Sequence, residues 1–352
     1  MIQPRHTPFE AYRGRRAVVT GGLGFIGSNL SLALRAHGAQ VVVIDSLVHG
    51  CGGSPANLKE FAPEIHVELA DIADSDRVPE HLLRADVIFN LASEISHSAD
   101  PVDASRDLEL NVCSQLAFLR LCAQHAPRRR VVYTGTRQVY GPPRYLPVDE
   151  RHPVEPVDFN GVHKHAAAQY HLLMTRLGSI DAVILNLTNV YGPRMALGVP
   201  GQGFLAHFLA HALKGHSLRV FGDGRQTRDP LFVEDAVDAI LLAGLASLSE
   251  HRLFNIGHPE AWSLGQIAEL VSEAAHLPPP RLCPFPENRR IIDIGSYSTD
   301  TRLSHSVLGW QAATRLPEGI RRTLQFYGRQ TFGEVSPKAS RYAAVGAHDQ
   351  SA

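Results

Sequence analysis

Cysteine is scarce in this chain: there are four in 352 residues, at Cys51, Cys113, Cys122 and Cys283, and no two form a CxxC pair. Zinc ribbons need paired cysteines and small secreted folds need a dense disulfide framework. Both are set aside, and a reducing, cytoplasmic setting is expected. An excess of charge of either sign is also missing. The 34 Lys and Arg nearly balance 35 Asp and Glu, for a formal net charge of −1, so there is no basic stripe to bind nucleic acid. The 19 histidines are scattered without HExxH spacing, and no metal site is expected. No apolar run approaches the roughly 18 residues that a membrane-spanning helix needs. The first sixteen residues are polar, contain Pro4 and Pro8, and lack the apolar stretch of a signal peptide. Neither a nucleic-acid nor a membrane partner is expected.

What the chain does have is apolar bulk in a regular rhythm. Hydrophobic residues make up 44% of it, enough to bury a large core in one big domain or two coupled ones. Short apolar runs at 17–19, 41–44, 65–69, 87–89, 131–133 and 182–185 read as strands. Helix-length segments separate them, notably 28–37, 103–125 and 161–177. Strands alternating with helices imply an α/β fold with a doubly wound parallel sheet. Beyond Asn189 the rhythm loosens. Helices are expected over 204–214 and 233–248 and from about Leu316, with short strands near 218–221 and 253–256. The expected division is a first domain over 1–189, a smaller C-terminal α/β substrate domain over 190–332, and a flexible tail over 333–352, where large apolar residues thin out.

Between the first strand and first helix lies Thr20-Gly21-Gly22-Leu23-Gly24-Phe25-Ile26-Gly27. Glycine in this setting has three uses: a tight turn, close approach of backbone to a pyrophosphate, and close packing of helix on strand. The helix N-terminus adds free N–H groups and partial positive charge. Asp45 closes the second strand, where a carboxylate can bond both ribose hydroxyls and would repel a 2′-phosphate. NAD is therefore favoured over NADP, on a Rossmann domain. Asp71 and Ile72 end the third strand and can reach the adenine. An ordinary glycine turn, or a capping role for either aspartate, is the alternative.

With these residues in place, the chain resembles the extended short-chain dehydrogenase/reductase family, and its nucleotide-sugar epimerases in particular. The resemblance covers roughly residues 15–330. TGGLGFIG resembles that family's glycine loop, with Gly21, Gly24, Phe25, Ile26 and Gly27 at the cofactor. Asn90-Leu91-Ala92-Ser93 resembles the motif beside the nicotinamide ribose. Asp100-Pro101 and Asn111-Val112 resemble the helix that follows. Thr134-Gly135-Thr136-Arg137-Gln138-Val139-Tyr140-Gly141 resembles the segment of the catalytic Ser/Thr, and Leu308-Gly309-Trp310 a C-terminal signature. The resemblance implies a mechanism: a sugar 4-hydroxyl gives hydride to NAD and its proton to a tyrosine, helped by a lysine that also holds the ribose. It also implies a homodimer built from the helices at 103–125 and 161–177, with Leu110, Leu116, Leu119, Leu172 and Leu173 as apolar positions.

One position departs from the pattern. Thr136 and Lys164 fall on the Ser/Thr and lysine of the triad, but the YxxxK tyrosine maps to Asn160. An amide cannot accept and release a proton at neutral pH, and a positioned acid/base contributes about 10²–10⁴ in rate. Three explanations stay open. A neighbour substitutes (His163, Tyr140, His97 or Glu94); Lys164 itself acts, with a pKa lowered by burial; or the chain binds without turnover. Arg137-Gln138 stand where the 4,6-dehydratases carry Asp-Glu, and decarboxylases usually keep a Glu at Gln138. Epimerisation through a 4-keto sugar is the leading expectation, followed by 4-keto reduction or another oxidation, UDP-glucuronate decarboxylation, and a catalytically impaired NAD- and nucleotide-sugar-binding regulator.

On the substrate side, Asn189-Val190-Tyr191-Gly192-Pro193-Arg194 and Phe221 to Asp229 resemble the family's nucleotide-sugar motifs. Asn189, Arg194, Arg228 and Arg290 are the expected contacts to sugar and diphosphate, with Glu94, His97, Arg137 and Gln138 around the sugar. Uridine is the first expectation for the base.

Overall fold

The computed structural model of the protein describes residues 8–61, 63–94, 101–199, 203–286 and 292–331. In chain order the first half runs β1 (Arg16–Thr20), α1 (Phe25–Ala36), β2 (Gln40–Ile44), β3 (Ile65–Glu68), α2 (Val78–Leu83), β4 (Val87–Asn90), α3 (Pro101–Leu108), α4 (Ser114–His125), β5 (Arg130–Thr136), α5 (Phe159–Arg176) and β6 (Asp181–Leu187). The second half runs β7 (Val190–Tyr191), α6 (Gly203–Leu213), β8 (Arg219–Phe221), β9 (Thr227–Arg228), β10 (Leu231–Phe232), α7 (Val233–Leu245), β11 (Leu253–Ile256), β12 (Trp262–Ser263), α8 (Leu264–Ala274), β13 (Arg281–Cys283), α9 (Arg302–Leu308) and α10 (Leu316–Thr331).

Seven strands form one parallel sheet in the order β11-β6-β5-β4-β1-β2-β3. Both faces are covered, so the central strands are largely apolar, while the edge strand β3 carries His66 and Glu68. Ala17 and Val19 of β1 enter one core, where α1 and α7 pack, while Val18 enters the other, with α2 and α4. Val41 and Val43 against Val42 and Ile44 repeat this alternation in β2, as the strand period of two requires. The sheet reverses its winding between β1 and β4, and their carboxyl ends open the crevice where such folds bind ligands. This is the Rossmann arrangement the sequence implies.

The second half of the chain contributes to both parts of the structure. Tyr191, Phe232 and apolar residues of α6, α8 and α10 build a separate core, flanked by the two-stranded pairs β10-β7, β12-β9 and β13-β8. But β10 leads straight into α7, which packs under the large sheet, and β11 then joins that sheet beside β6. The strand expected near 253–256 in the substrate domain is thus the seventh strand of the first sheet, and the chain crosses between the two parts more than once. A four-residue strand carries too little pattern to show which sheet will take it.

The helix expected over 103–125 is three pieces: α3, one wider π turn over Glu109–Cys113, and α4. Of the five leucines proposed for a dimer face, Leu116 and Leu173 are exposed, at 38% and 44%. Leu119 is core, Leu172 packs from α5 against Tyr133 and Ile184 of the sheet, and Leu110 lines a cleft. Among the described residues no helix is long and apolar enough to cross a membrane. The tail expected over 333–352 lies outside the described residues.

Candidate active site

β1 ends at Thr20, and the chain turns at Gly21 with φ +65°, a conformation that favours glycine. A Cβ at Gly21 would come within 2.9 Å of the Ala92 backbone, and one at Gly27 within 2.2 Å of the Gly21 carbonyl oxygen. Side chains are excluded at both, so the first turn of α1 lies tight against β1 and β4. Gly24 is the N-cap of α1, and no side chain caps the helix. The free N–H groups of its first turn, at Phe25, Ile26 and Gly27, are on the wall of a long cleft. Asp45 stands on the same wall. Its carboxylate is fixed by N–H bonds from Leu23 at 3.0 Å and Leu47 at 2.9 Å. Asp71 accepts from the Ala73 N–H at 2.8 Å and lines the cleft with Ile72, as do Leu91 and Ala92. The last two both donate their N–H groups to Thr20 Oγ1 at 3.2 Å. An uncapped helix end, a fixed carboxylate and an apolar slot in this order fit the phosphates, ribose and adenine of NAD.

Beyond this, the cleft reaches Thr136, Arg137, Gln138, Asn160 and Lys164. Thr136 ends β5 and caps the turn that follows, accepting from the Gln138 N–H at 3.3 Å. Asp158 caps α5 by accepting from the Gly161 N–H at 2.7 Å, and also accepts from Gln138 Nε2 at 2.6 Å. Asn160 and Lys164 lie one helical turn apart on the α5 face turned to the cleft. Lys164 is almost wholly buried and donates to the Thr134 carbonyl at 3.0 Å. Burial pushes its ammonium down to about 8, against the opposing pull of Asp107.

Asn160 is buried too. Its Nδ2 donates to the Glu94 carbonyl at 3.0 Å and to Asp107 Oδ2 at 2.8 Å. Asp107, 1% exposed, is the hub of a network. Its Oδ1 accepts from Asn111 Nδ2 at 3.0 Å and lies 2.7 Å from His163 Nδ1. His163 is held there, and it is not part of the cleft wall. Tyr140 is turned away as well: its hydroxyl donates to Asn255 Oδ1 at 2.7 Å, and burial pushes its pKa up to about 12. Glu94 makes backbone bonds with Asn111, and its carboxylate lies 3.5 Å from Arg106. His97 lies outside the described residues.

On the substrate side, Asn189 lines the cleft with its Oδ1 buried and unpartnered. Arg228 is buried, donates to the carbonyls of Thr227 at 2.8 Å and Gly295 at 2.5 Å, and is pushed down to about 10 by burial and by Arg137. Arg194 is not brought to the cleft. It bonds Asn57 O and Asn29 Oδ1 and lies 5.3 Å over the Phe326 ring, fastening α10 to the first helix. Arg290 lies outside the described residues. Among the described residues one group of side chains of metal-ligand type, His66, Glu68 and His81, comes together on β3 and α2, outside the cleft, with Arg77 3.6 Å from Glu68.

Sequence reasoning missed Asp107 and Tyr297, and it named Asn111 only as part of a motif, without this role. Asp107 and Asn111 are spaced four apart on a helix, which was a readable sign of contact. Nothing in the sequence ties Tyr297, a lone aromatic in a loop, to Arg137.

Residues 17–257 match the NAD dependent epimerase/dehydratase family. The UDP-glucose 4-epimerase of Mycolicibacterium smegmatis is 34% identical over 325 residues, which is 89% of this chain and 98% of that protein. Among solved structures, the UDP-glucose 4-epimerase of Thermotoga maritima with UDP-glucose superposes with a TM-score of 0.79 at 26% identity, covering 90% of this chain and 99% of that one. MoeE5 in complex with UDP-glucuronic acid and NAD gives a TM-score of 0.77 at 27% identity over the same shares.

Proposed function

Because the chain belongs to the NAD dependent epimerase/dehydratase family, we propose that it is an NAD-dependent nucleotide-sugar epimerase that works through a transient 4-keto sugar. In this reading the residues up to Asn189, with α7 and β11, hold NAD, and the part built on α6, α8 and α10 covers a nucleotide sugar. Uridine is the proposed base, as in the relatives compared. NAD supplies the hydride acceptance and return. Thr136 holds the sugar O4, and Asn160 lines the pocket with its amide N–H groups already spent on Asp107 and Glu94. Lys164, in its neutral form, takes the hydroxyl proton and later gives it back. Asn189 faces the nucleotide-sugar end, whereas Arg228 is not on the cleft wall.

The observation that carries this reading is Lys164: it is a buried amine on the cleft wall that also carries Thr136, with a pKa brought near the working range of a base. Of the other candidates within the described residues, His163 and Tyr140 are tied to Asp107 and Asn255, and Glu94, paired with Arg106, is not on the cleft wall. Purified protein loaded with NAD and given UDP-glucose, UDP-galactose and UDP-glucuronate tests it. C4-inverted product supports the epimerase. Binding of both ligands with no product would make the chain a nucleotide-sugar-binding regulator. We further propose a cytoplasmic homodimer across α4 and α5, where Leu116, Val162 and Leu173 are exposed. Sedimentation of the protein and of Leu173→Glu checks the dimer.

A further inference from the structure

Arg137 follows Thr136 directly, on the turn at the carboxyl end of β5, and lines the cleft. It is buried, at 9% exposure. Its guanidinium rests 4.9 Å over the Tyr297 ring. Among the described residues nothing accepts a hydrogen bond from it, and its Nη1 is buried without a partner. The carboxylates that influence it from a distance are already committed. Asp229 accepts from Thr188 Oγ1 at 2.6 Å and the Thr299 N–H at 2.9 Å. Asp158 accepts from Gln138 Nε2 and the Gly161 N–H. Arg228 adds a second buried cation near enough for the two to repel, but Arg228 has its Nη1 donors committed to two carbonyls.

A buried guanidinium without a partner is costly, and the cost is removed when an anion arrives. Its planar fork suits a two-oxygen acceptor. A carboxylate on the sugar and the diphosphate share that chemistry. The position of Arg137 separates them: it adjoins the residue that holds O4, whereas Arg228 sits on β9 in the smaller part. Resting on the epimerase reading above, we propose that Arg137 is a specificity residue that pairs with a carboxylate carried by the hexose, so that the preferred substrate is a nucleotide-linked uronic acid rather than a neutral hexose.

The test uses the NAD-loaded protein and three probes, UDP-glucuronate, UDP-glucose and UDP, titrated by calorimetry and, for the two sugars, assayed for turnover. Wild type is expected to bind UDP-glucuronate about 10- to 100-fold more tightly than UDP-glucose, the range of a charge-assisted pair. This comparison needs no variant. Arg137→Met is expected to erase the difference while leaving UDP and UDP-glucose within about twofold of wild type, and Arg137→Lys to keep part of it. Equal binding of the two sugars by wild type overturns the proposal. So does a parallel loss for all three probes in Arg137→Met, which would assign Arg137 to the diphosphate. Failure of all three probes to bind wild type overturns it too, and with it the epimerase reading. Turnover of UDP-glucose with no preference for the uronate would sink only the role of Arg137.

Discussion

If Lys164 is the proton acceptor, turnover must follow its neutral form. Burial lowers its pKa from 10.5 to about 8. The group is therefore about one-tenth neutral at pH 7 and about one-hundredth at pH 6, and mostly neutral above pH 9. The rate of sugar oxidation is expected to rise about tenfold per pH unit up to about 8 and then level off. Lys164→Arg separates this role from cofactor holding. Arginine keeps the charge and can still donate, but it cannot deprotonate in this range. The variant is expected to bind NAD, followed by fluorescence titration, and to lose turnover by about 10²–10⁴. The assay is the absorbance of reduced nicotinamide in a single turnover, from pH 6 to 9.5, in wild type and variant. A profile flat across that range, or a Lys164→Arg protein that turns over as wild type does, refutes the assignment.

Stability should respond to the same residue in the opposite sense. A folded-state pKa below the unfolded value means that the charged lysine opposes folding below about pH 8, and that the opposition fades as pH rises toward 10.5. By differential scanning calorimetry, ligand-free Lys164→Met is expected to melt higher than wild type at pH 7, with the difference shrinking as pH rises from 8 toward 10.5. Gly27→Ala drives a Cβ against the Gly21 carbonyl, so it is expected to lower the melting temperature and abolish NAD binding together, read by calorimetry and fluorescence. Asp45→Ala removes the carboxylate from the cleft wall. NAD affinity is expected to fall about tenfold or more and the preference for NAD over NADP to shrink, measured by paired titrations.

The part of the site that the sequence made readable is the part built from local geometry. The glycine loop, Asp45 and the Asn160–Lys164 spacing each sit on one turn or one strand end, where residue type and backbone conformation are tied together. Arg194 misled for the opposite reason. Its motif placed it near the sugar, but where its side chain goes depends on Asn57, Asn29 and Phe326, which lie far from it in sequence. The same holds for β11, whose place beside β6 is set by α7 carrying the chain back under the sheet. The burial of Arg137 was beyond reach too, because it depends on Tyr297, a loop residue far away in sequence.

The departure at Asn160 makes physical sense only with Asp107. A tyrosine base needs its phenolate favoured, and a buried carboxylate beside it would disfavour that charge and raise the phenol's pKa. An amide has no such conflict. It offers N–H donors, and here they meet Asp107 Oδ2 and the Glu94 carbonyl. Asp107 also acts on Lys164, raising a pKa that burial alone would take lower. The amine is thus held where it can be charged or neutral near pH 8, rather than fixed in either state. In the mechanism proposed above, Asn160 and Asp107 stand where a tyrosine base would be, and the buried amine of Lys164 on the cleft wall is the proposed proton acceptor.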